Sequence, residues 1–545
     1  MKKLFNIRLV STLLLVLTLV SCSEFLDINE DPNNPTDVPL KQLLPSTQLD
    51  ITNGLGSSTS GLSSITMPYV HQLVRRGNHN DYGVTGSDFG VVVPWNNFYT
   101  KALTDIKVII DKGTENEDWH YVGVAQLLKA YTFSVMVDVW GDVPFDDANL
   151  GSEVPFPAFD DGESIYDGVL LLIDEGIANL ERSSGASPSA EDLFYQGDLT
   201  RWRRFGKSLK LKMYNQMRLV RDVSTEVNAL IAEGDLMQSG GDFEMQYGTS
   251  VSPNSQNPGA NQEMTQGGAN YYISPYFYEI MTGQNSFFPT NIYSGINDPR
   301  VPYYFFNQLG PNHPNGTTAQ NPTSYRDGNF VSIYNFSFNI DPNEGFDQGI
   351  SQTVCGLYPL GGRYDDGLGG ITSLTSNAGE VNGAMDVPQR LLTHFSVLYT
   401  QAELAQAGVS SGDARSLFEQ AMRASFDKVN EVAGNASAPS ISGADINSYV
   451  NQVLALFDGA SAQGRMEHIL TQKWIASFGF GVDAYADYRR TGFPVLHNGN
   501  TDNLNITVQT RQYPLSFPYV TTDLQVNPNA PGQRNVATDR VFWDN

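Results

Sequence analysis

Apolar side chains recur every three, four or seven residues in two long stretches of the chain, and this period restricts the fold more than any other feature. Such spacing places the apolar residues of a segment on one face of a helix. The apolar stripes begin at Trp95, Tyr121, Ile165, Trp202, Leu391, Ala414 and Met466. Consecutive amphipathic helices predict a mainly α fold of tetratricopeptide-like helical hairpins, although a clean repeat of about 34 residues is not visible.

Residues 241–385 interrupt the helical pattern with a different composition. They contain 22 aromatic residues and no Lys, and Asn, Gln, Gly and Pro are frequent. This stretch is too aromatic to be disordered and too rich in turn-forming residues for long helices. It predicts a large, irregular, loop-rich half with short strands, the part of a fold that commonly carries a binding site.

The N-terminus predicts export and a lipid anchor. A basic start, Met1–Arg8, precedes the apolar run Leu9–Val20. That run is shorter than the roughly 20 residues of a membrane-spanning helix. It ends in Leu19-Val20-Ser21-Cys22, which is similar to the lipobox of bacterial lipoproteins. We expect a signal peptide over 1–21 and lipidation of Cys22; the alternative is an ordinary signal peptide with a chance cysteine.

The remaining chain is predicted to be one folded unit behind a short tether. Residues 22–36 are polar and turn-rich, which suits a lipidated tether, and 37–545 form the folded unit. Within that unit we expect helical repeats over 37–240 and 386–495, ligand-binding loops over 241–385, and an extended C-terminal segment over 496–545.

Charge and cysteine content exclude some classes of protein. The 33 basic and 59 acidic residues give a formal charge of −26, and removal of the signal peptide, with three cations and no anion, makes it −29. Nucleic-acid binding requires a basic surface, so no nucleic-acid partner is expected. Lipidation of Cys22 leaves Cys355 without a partner, so we expect no disulfide and a buried, apolar role for Cys355.

Three passages, taken together, resemble one protein family. They are CSEFLDINEDPNNP (22–35), VWGDVPF (139–145), and QKWIASFG (472–479) followed by DYRRTGFP (487–494). Their order and spacing resemble the SusD/RagB family of outer-membrane lipoproteins, in the branch with an Arg-Arg-Thr-Gly-aromatic-Pro signature. The resemblance covers essentially the whole chain. One departure is visible, because family members often carry a Glu shortly after Arg-x-Tyr-Pro, whereas Pro514 is followed by Leu515-Ser516-Phe517.

The resemblance implies a SusD-like lipoprotein that is anchored to the outer membrane and exposed at the cell surface. It implies a SusC-like, TonB-dependent transporter as partner, whose mouth the lipoprotein covers as a lid. The implied ligand is an oligosaccharide, and a peptide is the alternative within the same kind of transport. A third possibility is a helical-repeat scaffold that binds another protein and no small ligand.

Sugar recognition combines flat apolar rings with polar groups that satisfy hydroxyls. The candidates are His79, Tyr82, Trp95 and Asn96 near the N-terminus, and Tyr271, Tyr276, Tyr325, Arg326 and Arg363 in the irregular half. Each has a structural alternative: Trp95 suits a helix core, His79 and Tyr82 suit a plain surface loop, and the others suit the aromatic core that so large a loop region needs. Burial of most tyrosines in 241–385 would favour the scaffold.

Catalysis is not expected. A glycosidase needs two carboxylates facing each other across a cleft, whereas the visible pairs are adjacent in turn-like sequences. These pairs are Asp146-Asp147, Asp160-Asp161 and Asp365-Asp366. No metalloprotease, serine-hydrolase or phosphate-loop motif occurs, and no cofactor is expected. No motif in the sequence supports a calcium site at Asp365-Asp366, and none excludes it. Arg489-Arg490, at the end of a predicted helix, predict a buried or capping ion pair.

Overall fold

The computed structural model describes residues 38–58, 60–75, 82–264, 271–286, 291–311, 324–337, 352–369, 383, 385–502, 507 and 512–544. Its helices are α1 (Leu40–Leu55), α2 (Ser63–Tyr69), α3 (Phe89–Asn96), α4 (Leu103–Glu115), α5 (Trp119–Trp140), α6 (Gly162–Leu180), α7 (Leu199–Met217), α8 (Ser224–Ala232), α9 (Pro258–Met264), α10 (Pro275–Thr282), α11 (Val301–Tyr304), α12 (Leu357–Leu360), α13 (His394–Gln406), α14 (Ala414–Asn435), α15 (Gly443–Gly459), α16 (Ala462–Ala476), α17 (Gly481–Thr491) and α18 (Thr521–Val526). A π-helical turn, Asn97–Ala102, joins α3 to α4.

Consecutive helices pack in pairs, which confirms the predicted mainly α fold of tetratricopeptide-like hairpins. The most extensive pairs are α5 with α6 and α13 with α14. Side-chain caps fix where several helices begin, by accepting hydrogen bonds from backbone N–H groups of the first turn. The capping residues are Asp161, Asp198, Thr393, Asp413, Ser442 and Ser461. Each such cap contributes about 1 kcal/mol to helix stability.

Helix α5 lies at the centre of the N-terminal helical part. Every residue from Tyr121 to Trp140 except Lys129 is buried, so the predicted apolar stripe widens to the whole circumference. The reason is that α1, α4, α6, α7 and α17 all pack against this helix. Among the described helices it is the one long and apolar enough to cross a membrane, yet 94% of its most apolar window is buried inside the protein.

The turn after α5 brings distant segments together. Gly141 ends the helix with a φ of 80°, which L side chains rarely adopt. The Asp142 carboxylate accepts a hydrogen bond of 2.9 Å from the backbone N–H of Gly162, where α6 begins. The indole N–H of Trp140 donates to the carbonyl oxygen of Pro518 at 3.1 Å. This turn therefore fixes both α6 and the C-terminal segment against the end of α5.

The irregular half contains most of the short strands, which confirms the predicted mixture of loops and strands. All four strand pairs of the described chain are antiparallel: β1 (Leu73–Arg75) with β3 (Tyr271–Ile273), β2 (Phe243–Met245) with β8 (Gln389–Leu392), β4 (Phe305–Phe306) with β7 (Val354–Cys355), and β5 (Ser324–Asp327) with β6 (Phe330–Ile333). Two of these pairs join the irregular half to the rest of the chain. Cys355 is buried in β7, as predicted.

The aromatic residues of 241–385 form a core of their own. Among those that the structure describes, Tyr247, Tyr278, Tyr334 and Tyr364 are half-buried and the others are buried. Rings stack directly within this core, as for Tyr304 on Tyr358, whose centroids are 4.8 Å apart. Most of these aromatic side chains therefore belong to a core, which is the structural alternative to a binding role, and are not exposed binding platforms.

The signature arginines at the end of α17 form buried interactions, as the sequence predicts. Arg490 pairs with Glu403 of α13 and, at 2.6 Å, with Asp487 one turn earlier. Burial would raise the pKa of Glu403, but the charges of Arg490 and Arg218 outweigh that effect and hold this pKa well below its ordinary value. Arg489 lies over the ring of Tyr485 and donates to backbone carbonyls. These contacts tie α17 to α13 and to the C-terminal segment.

Candidate ligand-binding pocket

A cavity of about 520 Å³ opens beside the C-terminal end of α17. We call it the Tyr82 pocket. Its lining residues are Tyr82, Tyr276, Tyr488, Gly492, Val495, Leu496, His497, Asn498, Asn500, Thr501, Asp502, Gln512 and Tyr513. The lining thus combines four tyrosines with amide and hydroxyl side chains drawn from distant parts of the chain.

The loop after α17 supplies the polar rim of the pocket. Gly492 follows the last residue of helix α17 and terminates it with a left-handed φ of 74°. A tight turn follows, in which the backbone N–H of Asn498 donates to the Asp502 carboxylate at 2.8 Å. The backbone N–H of Asn500 donates to the side-chain oxygen of Asn498 at 2.9 Å. Because the backbone is held in this way, the exposed side chains of Asn498, Asn500 and Thr501 stand at the mouth of the cavity.

Tyr82 is held by aromatic contacts on several sides. Its hydroxyl lies 2.9 Å from Nε2 of His71, and the two rings are nearly parallel. The rings of Phe336 and Tyr513 pack edge-on against it, with centroids 4.8 Å and 5.1 Å away. Tyr513 in turn contacts Tyr488 at 4.7 Å. The tyrosines of the pocket are therefore parts of one aromatic cluster rather than separate surface rings.

Two buried histidines, His497 in the pocket lining and His71 behind Tyr82, are neutral at neutral pH. Burial lowers the pKa of His497 to about 4, and Asp502, whose Oδ2 is 3.4 Å from Nδ1, opposes the shift only in part. Burial also lowers the pKa of His71 well below its ordinary value, and the nearby His497 adds to the effect. The two ring centroids are 6.2 Å apart. Neither imidazole contributes positive charge to the pocket.

The electrostatics of the pocket suit uncharged ligands. The described lining residues include no Lys or Arg, and Asp502 is their one carboxylate. Burial raises the pKa values of Tyr82, Tyr488 and Tyr513, so these phenols stay protonated and can both donate and accept hydrogen bonds. Flat rings beside amides and hydroxyls match the mixed apolar and polar surface of a sugar.

The structure brings together two of the predicted candidates. Tyr82 and Tyr276 both line the pocket, although Tyr276 is 4% exposed and donates its hydroxyl hydrogen to the carbonyl oxygen of Val495. His79 and the lipidation site Cys22 lie outside the described residues. Trp95 lines a different cavity, and Asn96 is exposed on α3 without lining either of the two.

The remaining candidates have structural contacts and do not line the pocket. The hydroxyl of Tyr271 donates to the carbonyl oxygen of Ser64 at 3.0 Å, and that of Tyr325 donates to Glu279 at 2.8 Å. Arg326 donates to the carbonyl oxygen of Ser332 at 3.1 Å. The guanidinium of Arg363 lies 5.1 Å from the ring centroid of Phe306.

Tyr488, Tyr513 and the rim loop 498–502 were not among the residues predicted from the sequence. One available signal was the run Asn498-Gly499-Asn500-Thr501-Asp502, whose short polar and glycine residues are typical of an exposed turn. Tyr488 and Tyr513 carried no such signal, because a tyrosine on a helix or beside a proline is equally common in a core.

The acidic pair Asp365-Asp366 lies in the described part of the chain. No group of three or more His, Cys, Asp or Glu side chains there could hold a metal ion. The Asp365 carboxylate accepts hydrogen bonds from the backbone and side-chain N–H groups of Asn307 and from the backbone N–H of Gly367. Those donors satisfy its oxygens without a cation.

The helical hairpins, the loop-rich half and the Tyr82 pocket are the features of a binding protein built on a helical-repeat scaffold. A family model described as SusD-like, "Starch-binding associating with outer membrane", matches residues 32–514. The chain therefore belongs to the SusD/RagB family. No curated protein matches the sequence.

Solved structures share the fold over nearly the whole chain. A chitin-binding SusD homologue from Flavobacterium johnsoniae is 19% identical with a TM-score of 0.64, covering 93% of this chain and 98% of its own. A SusD homologue from Bacteroides fragilis is 20% identical with a TM-score of 0.63, covering 90% and 94%. A SusD/RagB family protein from Bacteroides thetaiotaomicron is 18% identical with a TM-score of 0.62, covering 93% and 99%.

Proposed function

We propose that this protein captures oligosaccharides in the Tyr82 pocket. The observation that carries the proposal is the convergence of four tyrosines with an Asn- and Thr-bearing rim in one cavity of about 520 Å³. The family description names starch binding, and one structural neighbour is described as chitin-binding. Both descriptions support a glycan as the ligand class.

Capture would depend on several weak contacts. A pyranose ring presents a C–H face that packs on an aromatic ring, and its hydroxyls need donors and acceptors at the edge of that ring. Tyr488 and Tyr513 supply ring surface, while Asn498, Asn500 and Gln512 supply amides. A site of this kind binds moderately and releases its ligand, as uptake requires.

The charge of the pocket favours uncharged glycans. Asp502 and the overall formal charge of −26 repel uronates and sulfated sugars. No described lining side chain offers the guanidinium or ammonium group that commonly binds such anions.

Capture is followed, in this proposal, by delivery to a SusC-like, TonB-dependent transporter. The lipobox at Cys22 supports a lipid anchor in the outer membrane, and the family membership supports surface exposure over the transporter's mouth. The protein would bind without catalysing a reaction. Asp160, in one of the acidic pairs, accepts backbone hydrogen bonds from Phe145 and Asp146 and is thus a structural group.

Calorimetry on the soluble chain 23–545 tests the proposal. The ligand panel comprises uncharged oligosaccharides, uronate-containing oligosaccharides of matched length, and short peptides. We expect binding of an uncharged member, and Tyr488→Ala should weaken it about tenfold, the loss of ~1.4 kcal/mol typical of one ring contact. Tyr364→Ala is the matched control, since Tyr364 is also half-buried but packs on Tyr303 away from the pocket.

The alternatives give different results. Binding of a peptide that Tyr488→Ala weakens would keep the pocket and change the ligand class. Tighter binding of a uronate would retain a glycan site but contradict the charge argument. The burial of most aromatic side chains in 241–385 favours the alternative of a protein-binding scaffold. A failure of every panel member to bind would support that alternative.

A further inference from the structure

A second cavity, of about 270 Å³, is lined in part by Trp95. We call it the Trp95 cleft. The rings of Tyr99 and Phe159 lie against Trp95, with centroids 4.8 Å and 6.3 Å away. Phe156 and Val526 stand at its rim and are 46% and 68% exposed, although they are large apolar side chains. Exposed apolar groups beside an aromatic cavity are typical of a contact surface.

One carboxylate lies in this cleft without a cation. The indole N–H of Trp95 donates to Oδ2 of Asp523 at 2.5 Å. Burial raises the pKa of Asp523, this hydrogen bond lowers it, and no Lys or Arg of the described chain contributes. Asp523 therefore brings an uncompensated negative charge into a mainly apolar, aromatic cavity.

The other polar groups of the cleft are engaged within the fold. The side-chain amide of Asn149 donates to the carbonyl oxygen of Tyr99 at 2.6 Å and to Thr104 at 2.9 Å. That of Asn527 donates to the carbonyl oxygen of Pro157 at 2.8 Å. Since these donors are used, the cleft offers an entering group mainly aromatic surface and one carboxylate. This combination differs from that of the Tyr82 pocket, where exposed amides form the rim.

Aromatic rings beside a carboxylate complement a cation on an apolar stem. Trp, Tyr and Phe rings attract cations, and a half-buried carboxylate forms a charge-assisted hydrogen bond with an ammonium or guanidinium group. We propose that the Trp95 cleft receives a Lys or Arg side chain from a partner protein, with Phe156 and Val526 contacting the apolar residues beside it. The acidic charge of this chain favours the approach of such a basic segment. The inference does not depend on the ligand of the Tyr82 pocket.

Fluorine NMR of the 5-fluorotryptophan-labelled chain 23–545 tests this assignment. The chain has six Trp residues, and Trp95→Phe identifies the signal of Trp95. The probes are arginine amide, lysine amide and norleucine amide, all N-acetylated so that norleucine amide is uncharged, together with glucosamine and the peptide acetyl-Leu-Arg-Leu-amide. We expect the two basic amides to shift the Trp95 signal and norleucine amide to bind about tenfold more weakly. The peptide should bind more tightly than arginine amide.

Two variants separate the contributions. Asp523→Asn keeps an oxygen that can accept the indole hydrogen bond, and it should remove the preference for basic probes. Phe156→Ala changes an exposed side chain and should remove the advantage of the peptide over arginine amide. Asp111→Asn is the control, because Asp111 is an exposed carboxylate paired with Lys107. An unshifted Trp95 signal, equal binding of norleucine amide, or tighter binding of glucosamine than of the peptide would overturn the assignment.

Discussion

Trp95 and Tyr82 stand at the two ends of a continuous series of ring contacts and line two different cavities. The series runs from Trp95 to Trp140, Phe517, Tyr69 and Tyr82, with centroid separations of 5.4, 5.9, 6.2 and 6.0 Å. The sequence offers both as candidates for a sugar-binding platform, Tyr82 in a loop and Trp95 at the start of a predicted helix. The fold instead separates them, because α3 directs Trp95 towards α18 while Tyr82 packs near α17.

The hydrogen bond between His71 and Tyr82 should contribute to ligand binding by fixing the Tyr82 ring. His71→Phe and Tyr82→Phe each remove that bond, so each should weaken oligosaccharide binding. The double variant should bind the oligosaccharide no more weakly than the weaker-binding single variant. The coupling should be about 1 kcal/mol, the usual net value of one hydrogen bond. Calorimetric double-mutant cycles measure it. Additive losses would mean that the two residues act independently.

Stability should rise with pH through the range set by His497. Its pKa is about 4 in the folded protein against an ordinary 6.5, so below pH 6.5 the unfolded chain binds a proton that the folded chain does not. Going from about pH 7 to about pH 5 should therefore cost on the order of 2 kcal/mol of unfolding free energy through this residue. His497→Asn should lose that part of the dependence in urea titrations. An unchanged pH profile in the variant would contradict the burial of a neutral His497.

The buried pair of Glu403 and Arg490 should matter far more to stability than an exposed pair of the same chemistry. Glu403→Gln leaves Arg490 and Arg218 partly uncompensated in the core and should lower the unfolding free energy by about 3–5 kcal/mol. Glu419→Gln is the matched control, because Glu419 and Arg423 are 2.9 Å apart with side chains 32% and 37% exposed. That change should cost less than about 1 kcal/mol. Equal losses in denaturant titrations would refute the argument.

In cells that lack the transporter, membrane attachment should depend on Cys22 alone. The thiol of Cys22 is the predicted acceptor of the lipid, so Cys22→Ala should move the expressed protein from the membrane fraction to the soluble fraction. Cys355→Ala should leave it in the membrane, because Cys355 is buried in β7. Mass spectrometry of the mature N-terminus checks the lipid directly. A Cys22→Ala protein that stays membrane-bound without lipid would point to a different attachment.

Local sequence patterns predicted the helical hairpins, the buried signature arginines and the family. An apolar period of three to four residues acts within a single helix, so it can be recognised without knowing the rest of the fold. The apolar period did not reveal that α5 is buried all round, because that burial comes from helices distant in sequence that pack against it. It also left open whether each tyrosine of the irregular half is core or surface, and the structure places most of them in a core.

The sequence by itself determined the fold class and the acidic character and predicted an exported N-terminus, because each depends on composition or on residues that are near neighbours in the chain. Only the tertiary structure decided which side chains share a cavity. Tyr82 meets Tyr488 and Tyr513 across more than 400 positions, which requires α2, α17 and the C-terminal segment to be packed together. Trp95 and its carboxylate Asp523 likewise meet across 428 positions. Such contacts depend on how the helices pack, so no local sequence pattern predicts them.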